Sequence, residues 1–154
     1  GNDAPGRQRH ATFAANRISL ANHGLSGQVD HYNHALVALS KEAVQGKALI
    51  AGDITTTSKM DAEYDELLSA YEEQITALVD AGVDLLIAET MIGADETMAV
   101  IDAAHAVCDL PILCSLTMQA DGVTEEDPDQ RRQFETCPQC KRKQTLGLKP
   151  RQEA

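Results

Sequence analysis

The chain has no tryptophan, two phenylalanines and three tyrosines among its 154 residues. A core without large aromatics has to be packed from Ala, Leu, Ile and Val. Positive charge is scarce as well: 13 Lys+Arg stand against 24 Asp+Glu, a formal net charge of -11. Nucleic acid is thereby excluded as the main partner, because phosphate neutralisation needs a basic face. No apolar run approaches the ~20 residues of a membrane span, and no charged-then-apolar leader opens the chain. The expectation is a cytoplasmic protein with no membrane partner. Four cysteines (Cys108, Cys114, Cys137, Cys140) without a secretory signal read as reduced thiols or metal ligands, not as a disulfide framework.

What is present matches a globular protein: 43% hydrophobic and 24% charged residues exclude wholesale disorder. The length suits one domain. Charge divides the chain unevenly, with seven Lys+Arg and two Asp+Glu from Arg131 onward. The break follows Glu125-Glu126-Asp127-Pro128-Asp129, which reads as a solvated linker. Residues 1–9, polar and Gly/Pro-bearing, read as a disordered lead. Residues 10–122 form the body, and residues 123–154 a linker and basic tail.

Within the body, Ala48–Gly52, Val83–Ala88 and Leu110–Leu116 are short, largely continuous apolar runs, as strands covered on both faces are. Helical stripes lie between them. Tyr64, Leu67, Leu68, Tyr71, Ile75, Leu78 and Val79 follow the 3.6-residue period, with Asp61 as N-cap and Gly82 at the C-terminal end. Ahead of the first strand, Val29, Tyr32, Leu36, Leu39 and Ala43 form a similar stripe closed by Gly46. Met98, Ile101 and Cys108 mark a shorter third helix. The order α-β-α-β-α-β implies parallel strands joined by helical crossovers, an α/β protein made of parallel (β/α) units.

Parallel strands bring their C-terminal ends to one edge, where ligands bind in sheets and barrels. Asp53, Glu89, Ser115 and Thr117 stand there. Two carboxylates beside hydroxyls can grip an ammonium group or a metal; strand-end acids also cap the following helix. Other groups carry less. His31 and His34 share a helix face and read as solvated surface. His105, beside the third stripe, reads as a partly buried structural histidine. Cys137-Pro138-Gln139-Cys140 resembles one knuckle of a zinc ribbon, but a tetrahedral site needs four ligands.

Several segments in order resemble the homocysteine S-methyltransferase family, which includes the homocysteine-binding domains of cobalamin-dependent methionine synthase and betaine–homocysteine methyltransferase. They are Thr12-Phe13-Ala14-Ala15-Asn16-Arg17-Ile18-Ser19-Leu20 with Ala21-Asn22-His23-Gly24-Leu25; Lys47 to Ile54; Tyr71-Glu72-Glu73-Gln74; Ala81 to Met91; and Asp109 to Thr117. The resemblance covers roughly residues 12–122. It implies a (β/α)8 barrel that moves a methyl group onto the sulfur of homocysteine, with zinc held by three cysteines. It also implies substrate-binding positions: Glu89 for the homocysteine ammonium, Thr12 and Phe13 in the pocket wall, and Asp53 at a frequent family position.

A whole barrel takes about 250 residues, so the expectation is a partial TIM (β/α)8 barrel. Its second strand would be His10-Ala11-Thr12-Phe13. The first strand and the later segments that carry the zinc cysteines have no counterpart in these residues, so no metal ligand and no catalytic residue is assigned, and the methyl donor is open. Thr55-Thr56-Thr57-Ser58 replaces a Gly-Pro turn usual in the family. A partial barrel needs a homodimer or a complementing barrel half. The alternative function is a non-catalytic remnant or interaction module of the same scaffold.

Overall fold

The three apolar runs become one sheet. A computed structural model describes residues 12–57, 59 and 61–117. The expected lead, the strand start at His10-Ala11, and the tail with Cys137 and Cys140 lie outside them. Strands β1 (Ala51–Ile54), β2 (Leu85–Met91) and β3 (Ile112–Leu116) stand in the order β1-β2-β3. Both pairs are parallel, with Asp53 opposite Ile87 and Ala88 opposite Cys114. Helices α1 (Arg17–Ala21), α2 (Val29–Val44), α3 (Tyr64–Asp80) and α4 (Ala94–Val107) precede and connect them. The expected alternation of parallel strands and helices is therefore present.

All three strands start two or three residues later than their apolar runs suggest. The reason at β1 and β2 is Asp84. Its carboxylate accepts from the Ile50 N–H at 2.7 Å, and its own N–H donates to the Ile50 carbonyl at 2.7 Å. This clasp holds the entry to both strands before the regular ladder begins.

The expected strand at Thr12-Phe13 is also corrected. Thr12–Ala14 is a turn, closed by the Ala15 N–H on the Thr12 carbonyl at 2.9 Å. Thr12 still serves the sheet edge, but through its side chain. The hydroxyl donates to the Asp53 carbonyl at 2.8 Å and accepts from the Asp53 N–H at 2.9 Å. One residue thus satisfies both outward backbone groups of Asp53, which a neighbouring strand would otherwise meet.

Side chains alternate across the strands. Ile54, Leu86, Ala88 and Cys114 point into a core completed by Val37 and Val44 of α2, Tyr71, Ile75 and Leu78 of α3, and Val100, Ile101 and Ala104 of α4. Gly52 shares that face, where a Cβ would stand 3.0 Å from Leu78 Cδ1 and 3.2 Å from Leu86 Cδ2. Helix α4 buries Ala94, Ala99, Ala103 and Ala104 and packs against α3. Small buried residues of this kind suit a core poor in aromatics.

Helix α3 follows its predicted stripe from Leu67 to Leu78, but Tyr64, expected on it, is exposed, and the N-cap is Glu63 and not Asp61. Helix α2 departs from it by one position. Its buried residues are Val29, Asn33, Val37 and Val44, while Leu39 is 62% exposed. The rotation follows from Asn33, whose amide donates to the carbonyls of Ala15 at 2.9 Å and Val29 at 2.8 Å. A polar residue that ties α2 to the Thr12–Asn16 turn is buried, and the hydrophobic period shifts with it. Helix α2 ends at Gln45 in the left-handed region (φ 49°), one residue before the expected Gly46 (φ 72°).

Candidate functional site

The second face of the sheet carries Leu85, Ile87 and Glu89 of β2 and Leu113 and Ser115 of β3, all half-buried. Asp53 shares this side by register with Ile87 and is 5% exposed. Glu89 was expected just past its strand. It lies inside β2, because β2 runs on to Met91. Asp53 is likewise inside β1.

Right after Glu89 the β2–β3 register shifts, between Ala88 and Met91. Thr90 takes up the irregularity with φ 61°, a left-handed conformation that costs a β-branched residue free energy. Its N–H donates to the Ser115 hydroxyl at 3.2 Å, and the ladder resumes where the Thr117 N–H meets the Met91 carbonyl at 2.7 Å. Ser115 and Thr117, expected at the rim, therefore hold the two sides of this bulge. The Glu89 carbonyl accepts from the Thr55 hydroxyl at 3.0 Å, which ties the end of β2 to the loop after β1.

Over these strand ends opens a cleft of about 500 Å³, lined by Phe13, His23, Thr55, Thr56, Thr90 and Ile92 among others. Phe13 is 39% exposed and contributes to its wall. Thr12, fully buried, turns its hydroxyl to the Asp53 backbone, while Gln74 donates its amide to the Thr12 carbonyl at 2.9 Å. The four expected binding residues thus divide. Glu89 and Phe13 reach the rim or the cleft, and Thr12 and Asp53 join each other at the sheet edge.

One residue the sequence reading did not select organises the loop after β1. Glu96, in the first turn of α4, accepts on Oε1 from the Thr57 N–H at 2.7 Å, the Thr57 hydroxyl at 2.8 Å and the Tyr71 hydroxyl at 2.8 Å. Its Oε2 accepts from the Thr56 hydroxyl. The Tyr71 hydroxyl also lies 3.0 Å from the Thr55 carbonyl, so its single proton is shared between two acceptors. Burial, then the charge of Glu96 and its hydrogen bond, push the Tyr71 hydroxyl far above its ordinary pKa of 10.0. It stays protonated and donating at any physiological pH.

No group of three or more His, Cys, Asp or Glu side chains converges as metal ligands among the described residues. The described residues therefore do not fit a zinc site. Cys114 is buried in the core and Cys108 half-buried beside it. His34 faces Asp30, with Nδ1 3.2 Å from its carboxylate, and His31 stacks edge-on against Tyr32 at 5.4 Å. His105 is exposed, against the expectation of a partly buried histidine, since the α4 stripe runs through Ile101 and Ala104. No helix among the described residues is long and apolar enough to cross a membrane.

These features define an α/β protein of parallel β/α units, with a carboxylate and hydroxyls gathered at the C-terminal strand edge. The chain belongs to the homocysteine S-methyltransferase family, whose model matches residues 10–139. That match contains every strand, helix and rim residue described above. It also runs on past residue 122, where the resemblance of individual segments fades.

Proposed function

We propose that this chain binds homocysteine at the C-terminal edge of its sheet and serves the transfer of a methyl group to the homocysteine sulfur. Its three β/α units belong, in this reading, to a (β/α)8 barrel whose interior is the sheet face carrying Ile87, Glu89 and Leu113. Further β/α units would close that barrel. The observation that carries the reading is Glu89, half-buried on that face one residue before a strained bulge, in a chain of this family.

Glu89 has the chemistry for its role. A carboxylate held at a partly dry rim makes charge-assisted hydrogen bonds to an ammonium group, stronger than bonds between neutral partners. Phe13 supplies an apolar wall to the adjoining cleft. Zinc, which the family uses in general to activate the thiol, finds no ligand set among the described residues. The role assigned to this part of the chain is substrate binding and orientation.

Calorimetric titration of L-homocysteine into the chain, with zinc in the buffer, tests the proposal. Binding is expected, and Glu89→Gln should weaken it by about 1.5–3 kcal/mol, the scale of a hydrogen bond to a charged group. Unchanged affinity in the variant removes Glu89 from the site. No heat from soluble, folded chain removes the substrate and leaves a scaffold that associates with other proteins.

A further inference from the structure

We propose that Glu96 is a positioning residue for the homocysteine site, acting from α4 through the three threonines that follow β1. The proposal rests on the reading of Glu89 given above and adds the device that holds Glu89 and the cleft in place. The clamp is a chain of contacts between segments distant in sequence. Glu96 holds Thr56 and Thr57 by their hydroxyls and by the Thr57 N–H. Tyr71 joins Glu96 to the Thr55 carbonyl. The Thr55 hydroxyl then reaches the Glu89 carbonyl at 3.0 Å.

Glu96 itself is not among the cleft's lining residues, whereas Thr55, Thr56 and Thr57 are. Its effect on a ligand is therefore indirect. Three successive threonines have no local restraint comparable to a proline ring, so the loop's conformation depends on what its hydroxyls and amides bond. A single carboxylate collects these donors from half-buried and buried positions. A loop held before the ligand arrives lowers the ordering cost of binding, and small displacements of site groups are costly once reacting atoms must be aligned.

The test separates positioning from plain stability. Glu96→Ala, Glu96→Gln and Thr55→Val are compared with the unsubstituted chain at a temperature where circular dichroism shows each to be folded. L-homocysteine Kd is read by calorimetry, and amide exchange over residues 55–57 by mass spectrometry. Glu96→Ala should raise Kd about tenfold or more and speed exchange in that segment. Glu96→Gln should restore Kd to within about threefold, because its carbonyl can accept from Thr57 and Tyr71 while its amide donates to the Thr56 hydroxyl. Thr55→Val, which cuts only the link to Glu89, should raise Kd with the Glu96 clamp intact, and it carries the test if Glu96→Ala does not fold.

Unchanged Kd in both Glu96→Ala and Thr55→Val, beside normal binding by the unsubstituted chain, overturns the positioning role and leaves the substrate reading standing. Unchanged exchange over residues 55–57 in folded Glu96→Ala overturns it also. No binding by the unsubstituted chain overturns the substrate reading, and the positioning role falls with it.

Discussion

Thr12→Val isolates the contribution of one hydroxyl to the sheet edge. Valine keeps the shape of threonine and removes both hydrogen bonds to Asp53, at 2.8 and 2.9 Å. The Asp53 N–H and carbonyl would then face a methyl group in a place where Thr12 is fully buried and Asp53 is 5% exposed. Each buried backbone group left without a partner costs about 1–3 kcal/mol. Two such groups, less some gain from burying a methyl in place of a hydroxyl, give a loss of about 2–4 kcal/mol. For a body of this size that lowers Tm by roughly 4 °C per kcal/mol. Thr12→Ser keeps both bonds and loses only a methyl, so it should cost about 1 kcal/mol. Urea denaturation followed by far-UV circular dichroism measures all three proteins. Equal stability of Thr12→Val and the unsubstituted chain would refute the argument, as would a larger loss in Thr12→Ser than in Thr12→Val.

Gly52→Ala places a Cβ 3.0 Å from Leu78 Cδ1 and 3.2 Å from Leu86 Cδ2, and neither leucine has any exposed surface to move into. Overpacking of about 1–3 kcal/mol should exceed the gain of under about 1 kcal/mol from a stiffer unfolded chain; a rise in Tm would refute this. Tyr71 carries a pH prediction. Its hydroxyl ionises far above the ordinary 10.0 when folded, so above about pH 10 the folded chain binds more protons than the unfolded one. Stability that is complete below that pH is then lost as pH rises, by up to about 1.4 kcal/mol per pH unit. Urea midpoints between about pH 9 and pH 11 should fall less steeply in Tyr71→Phe; parallel curves would refute the assignment.

The parallel α/β class was legible because its signal is local. Apolar runs near Ile50, Leu86 and Leu113, with a helical stripe from Leu67 to Leu78, leave few other architectures. Strand limits were not legible, since the Asp84 clasp joins residues 34 positions apart. The α2 face was misread for the same reason: Asn33 looks like a surface residue until Ala15 is brought beneath it. At the site, Glu89 could be picked out by residue type and family resemblance. The bulge at Thr90 could not, because nothing in Glu-Thr-Met announces a left-handed threonine.

Glu96 was hidden in a different way. An acidic residue in the first turn of a helix already has a sufficient local explanation, since it complements the helix dipole. Its second role exists only where α4 meets the loop after β1, 39 and 40 residues away in sequence. The threonine run held the missing signal. A proline in such a loop would stiffen it by fixing its own φ, with no help from outside. Thr55, Thr56 and Thr57 cannot do that, but they bring hydroxyls and an amide that a carboxylate can gather. A loop without an internal restraint needs an external one if the groups beside it are to stay in place. In this chain the restraint comes from Glu96 and Tyr71, so the rim around Glu89 depends on tertiary contacts between segments distant in sequence.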